Sequence, residues 1–261
     1  MMERDIKACF FDIDGTLIDH EGGSVMPQST KESLCALREK GVKLFVATGR
    51  PPTMVDFIEQ YFQFDGFVSL NGQLVVLRDG TVLHRMAHNP EDIRRLVEIV
   101  KKEKFPCLII EEHESFYVLD GEAVTQHHRR AGVALPRQYD IGRLEEHPVL
   151  QFLVYGLENL PYIACLPHVE PTSAGGHIQD IIPKGGGKEV GIAAAAAHYG
   201  IRREEIMVFG DGDNDQRMLR WAGVGVAMGN GSEKARAAAD YISIPTGQGG
   251  IYHALKHFGV L

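Results

Sequence analysis

Phe10-Phe11-Asp12-Ile13-Asp14-Gly15-Thr16 sets two carboxylates one residue apart, directly behind an apolar run and ahead of a glycine. Residues 7–11 are short, bulky and mostly apolar, the character of a strand buried in a parallel sheet, and Gly15 marks a sharp turn. The aspartates therefore stand at the strand's C-terminal end, the edge of an open α/β sheet where loops converge and ligands bind. Two carboxylates this close repel unless a cation or a proton lies between them. Mg²⁺, which takes one or two carboxylates together with water and substrate phosphate oxygens, suits such a pair. An Asp-Gly turn with a spare aspartate is the plainer alternative that this segment leaves open.

Outward from that stretch, the chain alternates strand and helix. Ser29-Thr30-Lys31-Glu32 has the spacing of a capping box for a helix bearing Leu34 and Leu37 and ended by Gly41. Residues 42–47 supply the next buried strand, and Thr48-Gly49-Arg50 turns into a helix begun by Pro51-Pro52 with Met54, Phe57, Ile58 and Tyr61 on one face. Residues 66–70 form a third strand, and Asn71-Gly72 and Asp79-Gly80 read as hairpin turns around residues 73–77 and 81–85. From about 83 to 182 the alternation breaks down. A helix begun by Asn89-Pro90-Glu91, paired strands at 107–111 and 115–119, and strand-like runs at 148–155 and 178–182 suggest an α+β unit inserted into an α/β core. The core rhythm returns with a helix over 187–199, a strand at 206–209, the loop Gly210-Asp211-Gly212-Asp213-Asn214-Asp215, and strands at 224–228 and 241–244. Residues 1–82 and 183–261 thus make the core and 83–182 the insert.

Composition excludes several functions. A formal net charge of −8 without a basic cluster argues against nucleic acid or an anionic membrane as partner. The four cysteines, Cys9, Cys35, Cys107 and Cys165, form no CxxC pair, so neither a disulfide framework nor a thiolate zinc site is suggested, and a reducing cytoplasm fits. Glu3, Arg4, Asp5 and Lys7 occupy the place where a secretory signal would need an apolar core.

Four loops therefore meet at one sheet edge. Thr48, Lys188 and the backbone amides near Gly15 and Gly49 are donors for phosphate oxygens, and Asp12 and Asp211 are ligands for Mg²⁺. Asp12 can attack phosphorus, provided that cations offset its repulsion from a phosphate dianion. Asp14 can protonate the leaving alcohol and then take a proton from water, a role that needs a carboxyl titrating well above about 3.9. Asp213 reads as a solvated turn residue.

Asp12-Ile13-Asp14-Gly15-Thr16, Thr48-Gly49-Arg50, Lys188 and Gly210-Asp211-Gly212-Asp213-Asn214-Asp215 together resemble the four ordered motifs of the haloacid dehalogenase superfamily. The second aspartate resembles its phosphatases and phosphomutases, and the inserted unit resembles the cap of the Cof-type sugar-phosphate phosphatases. The resemblance implies a Rossmann-like parallel-sheet core with an inserted α+β cap. It implies Asp12 as nucleophile and metal ligand, Asp14 as acid/base with its carbonyl on Mg²⁺, Asp211 as metal ligand, and Asp215 as support for the lysine and for metal-bound water. Thr48, Gly49 and Asn214 would bind or orient phosphate, and Arg50 and Asn71 are candidates for substrate contact. Lys184 lies near the lysine motif too, but Lys188 opens the helix and matches better. The implied activity is Mg²⁺-dependent hydrolysis of a small phosphorylated metabolite through an aspartyl-phosphate. A phosphomutase using the same intermediate and a phospho-aspartate receiver are the alternatives.

Overall fold

A computed structural model describes residues 5–21, 23–173 and 177–261. Its first strands are β1 (Ala8–Phe11), β2 (Lys43–Ala47), β3 (Gly66–Ser69), β4 (Leu74–Leu77) and β5 (Val82–Arg85). Then come β6 (Cys107–Ile110), β7 (Ser115–Leu119), β8 (Arg137–Gln138), β9 (Gln151–Tyr155), β10 (Val169–Ser173) and β11 (Ile178–Pro183). The last are β12 (Ile206–Gly210), β13 (Val224–Ala227) and β14 (Tyr241–Ile242). Among the described residues they form an eight-stranded sheet, β14-β13-β12-β1-β2-β3-β4-β5, and a six-stranded sheet, β10-β11-β9-β6-β7-β8. From β14 to β3 the large sheet is parallel, and β4 and β5 extend it antiparallel.

The apolar run of β1 has a reason: both faces of its sheet are covered. Cys9 and Phe11 pack with Leu34 and Leu37 of α1 (Gln28–Glu39), whereas Ala8 and Phe10 pack toward the helices that follow the second sheet. Phe10 stacks on Phe45 and Phe11 on Phe209, each pair with ring centroids 4.9 Å apart. Parallel strands buried on both sides need no polar alternation, so continuous apolar runs mark them. The smaller sheet buries one face under α2 (Pro90–Glu103), through Ile93, Leu96 and Val100. Leu108, Ile110, Leu153 and Tyr155 instead pack with Leu70 and Leu74 of the large sheet. This apolar contact seats the second sheet beside the end of β3.

Three expectations change. First, α1 starts at Gln28 with Pro27 at the cap and no side-chain cap bond. The proline's restricted φ starts the helix before the Ser29 box, and Glu32 accepts from Gln28 Nε2. Second, the run after Pro51 forms two short 3₁₀ turns, Pro52–Met54 and Asp56–Gln60. Its apolar residues serve two surroundings: Val55 and Ile58 join the core, while Met54 faces a cavity. Third, the boundary drawn at 82/83 cuts through β5, whose Val82, His84 and Arg85 pair with β4 in the large sheet around a bulge at Leu83.

The β3–β4 turn places a backbone against another backbone. Gly72 has φ +95°, and a Cβ there would lie 2.1 Å from the Gly187 carbonyl oxygen; Gly80, at φ +87°, has open space around it. Gly80→Ala is therefore expected to cost only about 1 kcal/mol of strain. Gly72→Ala should cost roughly 3 kcal/mol or more, since the backbones must part. Chemical denaturation of the two variants checks the difference.

Candidate active site

Because β12, β1, β2 and β3 are parallel neighbours, their C-terminal ends open on the same edge. There stand Asp12 and Asp14 after β1, Thr48, Gly49 and Arg50 after β2, the 70–72 turn after β3, and residues 211–215 after β12. Lys188 joins them at the first position of α5 (Lys188–His198), the helix that follows β11. Gly15 permits a close approach: it has φ +82°, and a Cβ would sit 2.3 Å from Asp211 Oδ2.

At the centre, Lys188 Nζ donates to Asp12 Oδ1 and to Asp215 Oδ1, both at 2.6 Å, and the lysine is 1% exposed. Asp215 Oδ2 accepts the backbone N–H groups of Asp211 and Gly212, so both of its oxygens are engaged within the protein. Thr16 Oγ1 donates to Asp211 Oδ1 at 2.7 Å. Asp12, Asp211 and Asp215 each offer a carboxylate oxygen within 4.8 Å of the others. Burial pushes the Asp12 carboxyl well above its ordinary value; Lys188 opposes that and the other aspartates reinforce it. Burial, reinforced by Asp215 and opposed by the Thr16 bond, pushes Asp211 up to about 7. Lys188 is held in its ammonium form, since the two carboxylates outweigh the cost of burying the charge. Fully ionised, three carboxylates and one ammonium would sum to −2; burial makes that charge costly, so the carboxyls tend to retain protons, and a divalent cation would bring the sum to zero. Asp211, with Oδ2 outside the bonds above, and the Asp12 carboxylate fit as direct ligands, while Asp215 fits as the anchor behind them.

Asp14 departs from expectation. Arg50 holds its carboxylate bidentately, Nε to Oδ2 and Nη2 to Oδ1 at 2.7 Å, and His20 Nε2 lies 3.0 Å from Oδ1. Burial would raise this carboxyl, but Arg50 and then His20 overcome it and hold it below its usual value. In this arrangement Asp14 is an anion, placed to receive a proton rather than to give one. Arg50 is thereby committed to Asp14. Thr48 Oγ1 accepts the Arg50 N–H, leaving its own hydroxyl hydrogen to donate.

Asp12, Asp14, Thr48, Gly49, Arg50, Asp211 and Asn214 line one cavity of about 840 Å³. Lys188 and Asp215 lie behind its floor. Asn71, expected to touch substrate, is 1% exposed and fully engaged: its amide nitrogen donates to Gln151 and Asp180, and its oxygen accepts from Asn214. Asp213 stands in its turn partly exposed and also accepts from Ser232 Oγ and Lys234 Nζ. Lys184 is exposed. The cavity's other wall comes from the second sheet and its helix α3 (Glu122–Ala131): Leu108, Ile110, Gln151, Asp180, His127 and Arg130. Sequence reasoning missed these, and Thr16 and His20 too. Thr16 alone carried a signal, its place inside the acidic motif.

A parallel α/β sheet that gathers carboxylates, a buried lysine and a large cavity at one edge defines an enzyme active site. Residues 9–255 match the haloacid dehalogenase-like hydrolases, and the chain belongs to that family. YkrA of Bacillus subtilis (strain 168), provisionally named a phosphatase, is 30% identical over 259 residues, 98% of this chain and 99% of that protein. The subclass IIB sugar phosphatase BT4131 superposes with a TM-score of 0.89 at 34% identity, covering 98% of this chain and 100% of that one. A third structure, solved in work on a trigonal-bipyramidal intermediate in a phosphoryl-transfer superfamily, has a TM-score of 0.88 at 32% identity over 98% of this chain and 100% of its own. With these neighbours the chain is a Cof-type member of the family. Among the described residues no helix is long and apolar enough to cross a membrane.

Lys188→Met removes the cluster's cation and should cost roughly 3–5 kcal/mol at pH 8, the usual consequence of breaking a buried ion pair. The wild-type lysine is protonated from pH 5 to 8, so only the carboxylates titrate in that range. Their pKa values rise further in the variant, and the loss should shrink as falling pH protonates them. Denaturant unfolding at pH 5 and pH 8, without divalent cations, checks both statements.

Proposed function

We propose that the chain is a Mg²⁺-dependent phosphatase that hydrolyses small phosphorylated metabolites, sugar phosphates or similar phosphomonoesters, through an aspartyl-phosphate on Asp12. One observation carries the reading: a buried cluster of three carboxylates and one ammonium, with an oxygen of Asp12 outside the protein's hydrogen bonds, opens onto a cavity large enough for a phosphate ester. Membership of a hydrolase family, with relatives named as phosphatases, supports it. A receiver module has no use for such a cavity beside its acidic site.

Asp12 Oδ2 attacks phosphorus; the Oδ2–P bond forms, and the ester P–O bond breaks with its electron pair going to the leaving oxygen. Lys188, bound to Oδ1, holds the carboxylate in line and offsets its repulsion from the incoming dianion. Thr48 and the second amide hydrogen of Asn214 Nδ2 donate to the phosphate oxygens. Asp14 gives a proton to the leaving oxygen. As an anion again, it takes one from the water that attacks phosphorus, and the Asp12–phosphate bond breaks. To act as the acid, Asp14 must first leave Arg50 and take up a proton from solvent; a phosphate dianion competing for the guanidinium frees it, and the proton it takes from water in the second step restores the acid form. Mg²⁺, which Asp12 and Asp211 would hold, would supply Lewis-acid neutralisation of the phosphate oxygens. The second sheet, with its helices, acts as the cap that covers the site. A reducing cytoplasm suits the four free cysteines, of which Cys9 and Cys107 are buried.

p-Nitrophenyl phosphate should be hydrolysed with Mg²⁺ present, and EDTA should abolish turnover; full activity in EDTA defeats the metal-dependent reading. Asp12→Asn should lower kcat by about 10³-fold or more, because an amide is a very poor nucleophile. Asp14→Asn should slow sugar-phosphate hydrolysis far more than that of p-nitrophenyl phosphate, whose leaving group departs without protonation. Equal losses in kcat on the two esters would remove the acid role.

A further inference from the structure

Two residues of the second sheet reach across to the catalytic edge of the first. Asn71 Nδ2 donates to Asp180 Oδ2 at 2.7 Å and to Gln151 Oε1 at 3.0 Å, while Asn71 Oδ1 accepts from Asn214 Nδ2 at 3.0 Å. Gln151 Nε2 in turn donates to the Gly49 carbonyl at 3.3 Å. The turn that presents Asn71 is strained: Leu70 and Asn71, both buried and neither a glycine, have φ of 54° and 53°. Non-glycine residues held in that region cost on the order of 1 kcal/mol each and persist where surrounding contacts over-determine them. The contacts here are those to Asp180, Gln151 and Asn214.

Asp180 is the unfinished member of this group. It is 6% exposed, makes no ion pair among the described residues, and lines the cavity. Its Oδ2 is bonded to Asn71, and no hydrogen bond among the described residues occupies Oδ1. A carboxylate so buried, lining the cavity with one oxygen that no donor among the described residues fills, leaves a place for a donor from outside the protein. Burial pushes this carboxyl up to about 6, against the Asn71 bond and the Lys188 charge. Arg130 on the same wall disfavours a cationic amine as that donor.

We propose that Asp180 is the specificity-determining residue of the second sheet: its Oδ1 accepts a hydrogen bond from a neutral hydroxyl of the leaving group, and Asn71 is the positioning residue that holds it there. The inference rests on the phosphomonoesterase reading. It makes leaving-group recognition and the orientation of Asn214 two ends of one amide side chain.

Asp180→Asn is close to isosteric and tests this directly. The introduced amide can keep its carbonyl on Asn71 while presenting a donor to the cavity where an acceptor stood. Its kcat/KM on the best hexose 6-phosphate should fall by about tenfold to a hundredfold, the span expected for a hydrogen bond to a charged group. The loss on p-nitrophenyl phosphate, which has no hydroxyl donor, should be several times smaller. A series of singly deoxygenated hexose 6-phosphates supplies a measurement on the wild-type protein. One deoxy position should lose about tenfold or more, and that loss should vanish in Asp180→Asn, because the two changes delete the same bond. Additive losses, or equal losses on the sugar ester and the nitrophenyl ester, overturn the assignment. If the wild-type protein hydrolyses p-nitrophenyl phosphate but shows no dependence on any hydroxyl, this inference alone falls; if it hydrolyses no ester with Mg²⁺, the phosphatase reading falls and takes the inference with it.

Discussion

One ammonium group between two buried carboxylates organises this protein. Lys188 Nζ reaches Asp12 after β1 and Asp215 after β12, two loops separated by most of the chain, and it does so from the start of a third segment. Burying an ion is costly unless opposite charge and hydrogen bonds compensate, so each of these segments must arrive in register for the others to be tolerated. The compensation is deliberately incomplete in charge. Fully ionised, the cluster would still sum to −2, which favours a divalent cation and an electrophile, and a fully neutralised one would favour neither.

The same requirement explains the local backbone. Gly15 lets the β1 loop come against Asp211, and Gly72 lets the β3–β4 turn come against the residue preceding Lys188. Asp215 spends both oxygens on the lysine and on the backbone of its own loop, so its contribution is rigidity. Rigid placement matters here because phosphoryl transfer asks little covalent chemistry of the protein and much positioning.

Above this fixed floor, the second sheet is attached by unlike means. Leu108, Ile110, Leu153 and Tyr155 meet Leu70 and Leu74 without directional bonds, whereas Gln151 and Asp180 meet Asn71 with them. Apolar contact tolerates sliding and hydrogen bonds do not. The polar group therefore defines one seating of the second sheet over the cavity, at the point where β3 ends. Arg50 shows a comparable division of labour: its bidentate hold on Asp14 keeps that carboxylate ionised and places both side chains on the cavity wall.

Much of the site was readable because its chemistry lies in short segments. Asp12, Asp14, Thr48, Lys188 and Asp211 each follow a strand or open a helix, and continuous apolar runs declared β1, β2 and β12 buried and parallel. Local pattern carried that information because covering both faces of a strand leaves its mark on the strand itself. Helix starts were less legible: Pro27 outcompeted the Ser29 box, and the run after Pro51 was divided between core and cavity. What a side chain touches across the chain was not legible at all. Asp14 looked like an acid, and only Arg50, 36 residues away, makes it a base at rest. Asn71 looked like a substrate contact, and only Gln151 and Asp180, brought 80 and 109 residues across the sequence, make it a bridge. The sequence determined which groups could do chemistry and the sheet edge on which they would stand. Tertiary structure decided their charge states and partners, because both depend on burial and on distances of a few ångströms between segments that no sequence spacing encodes.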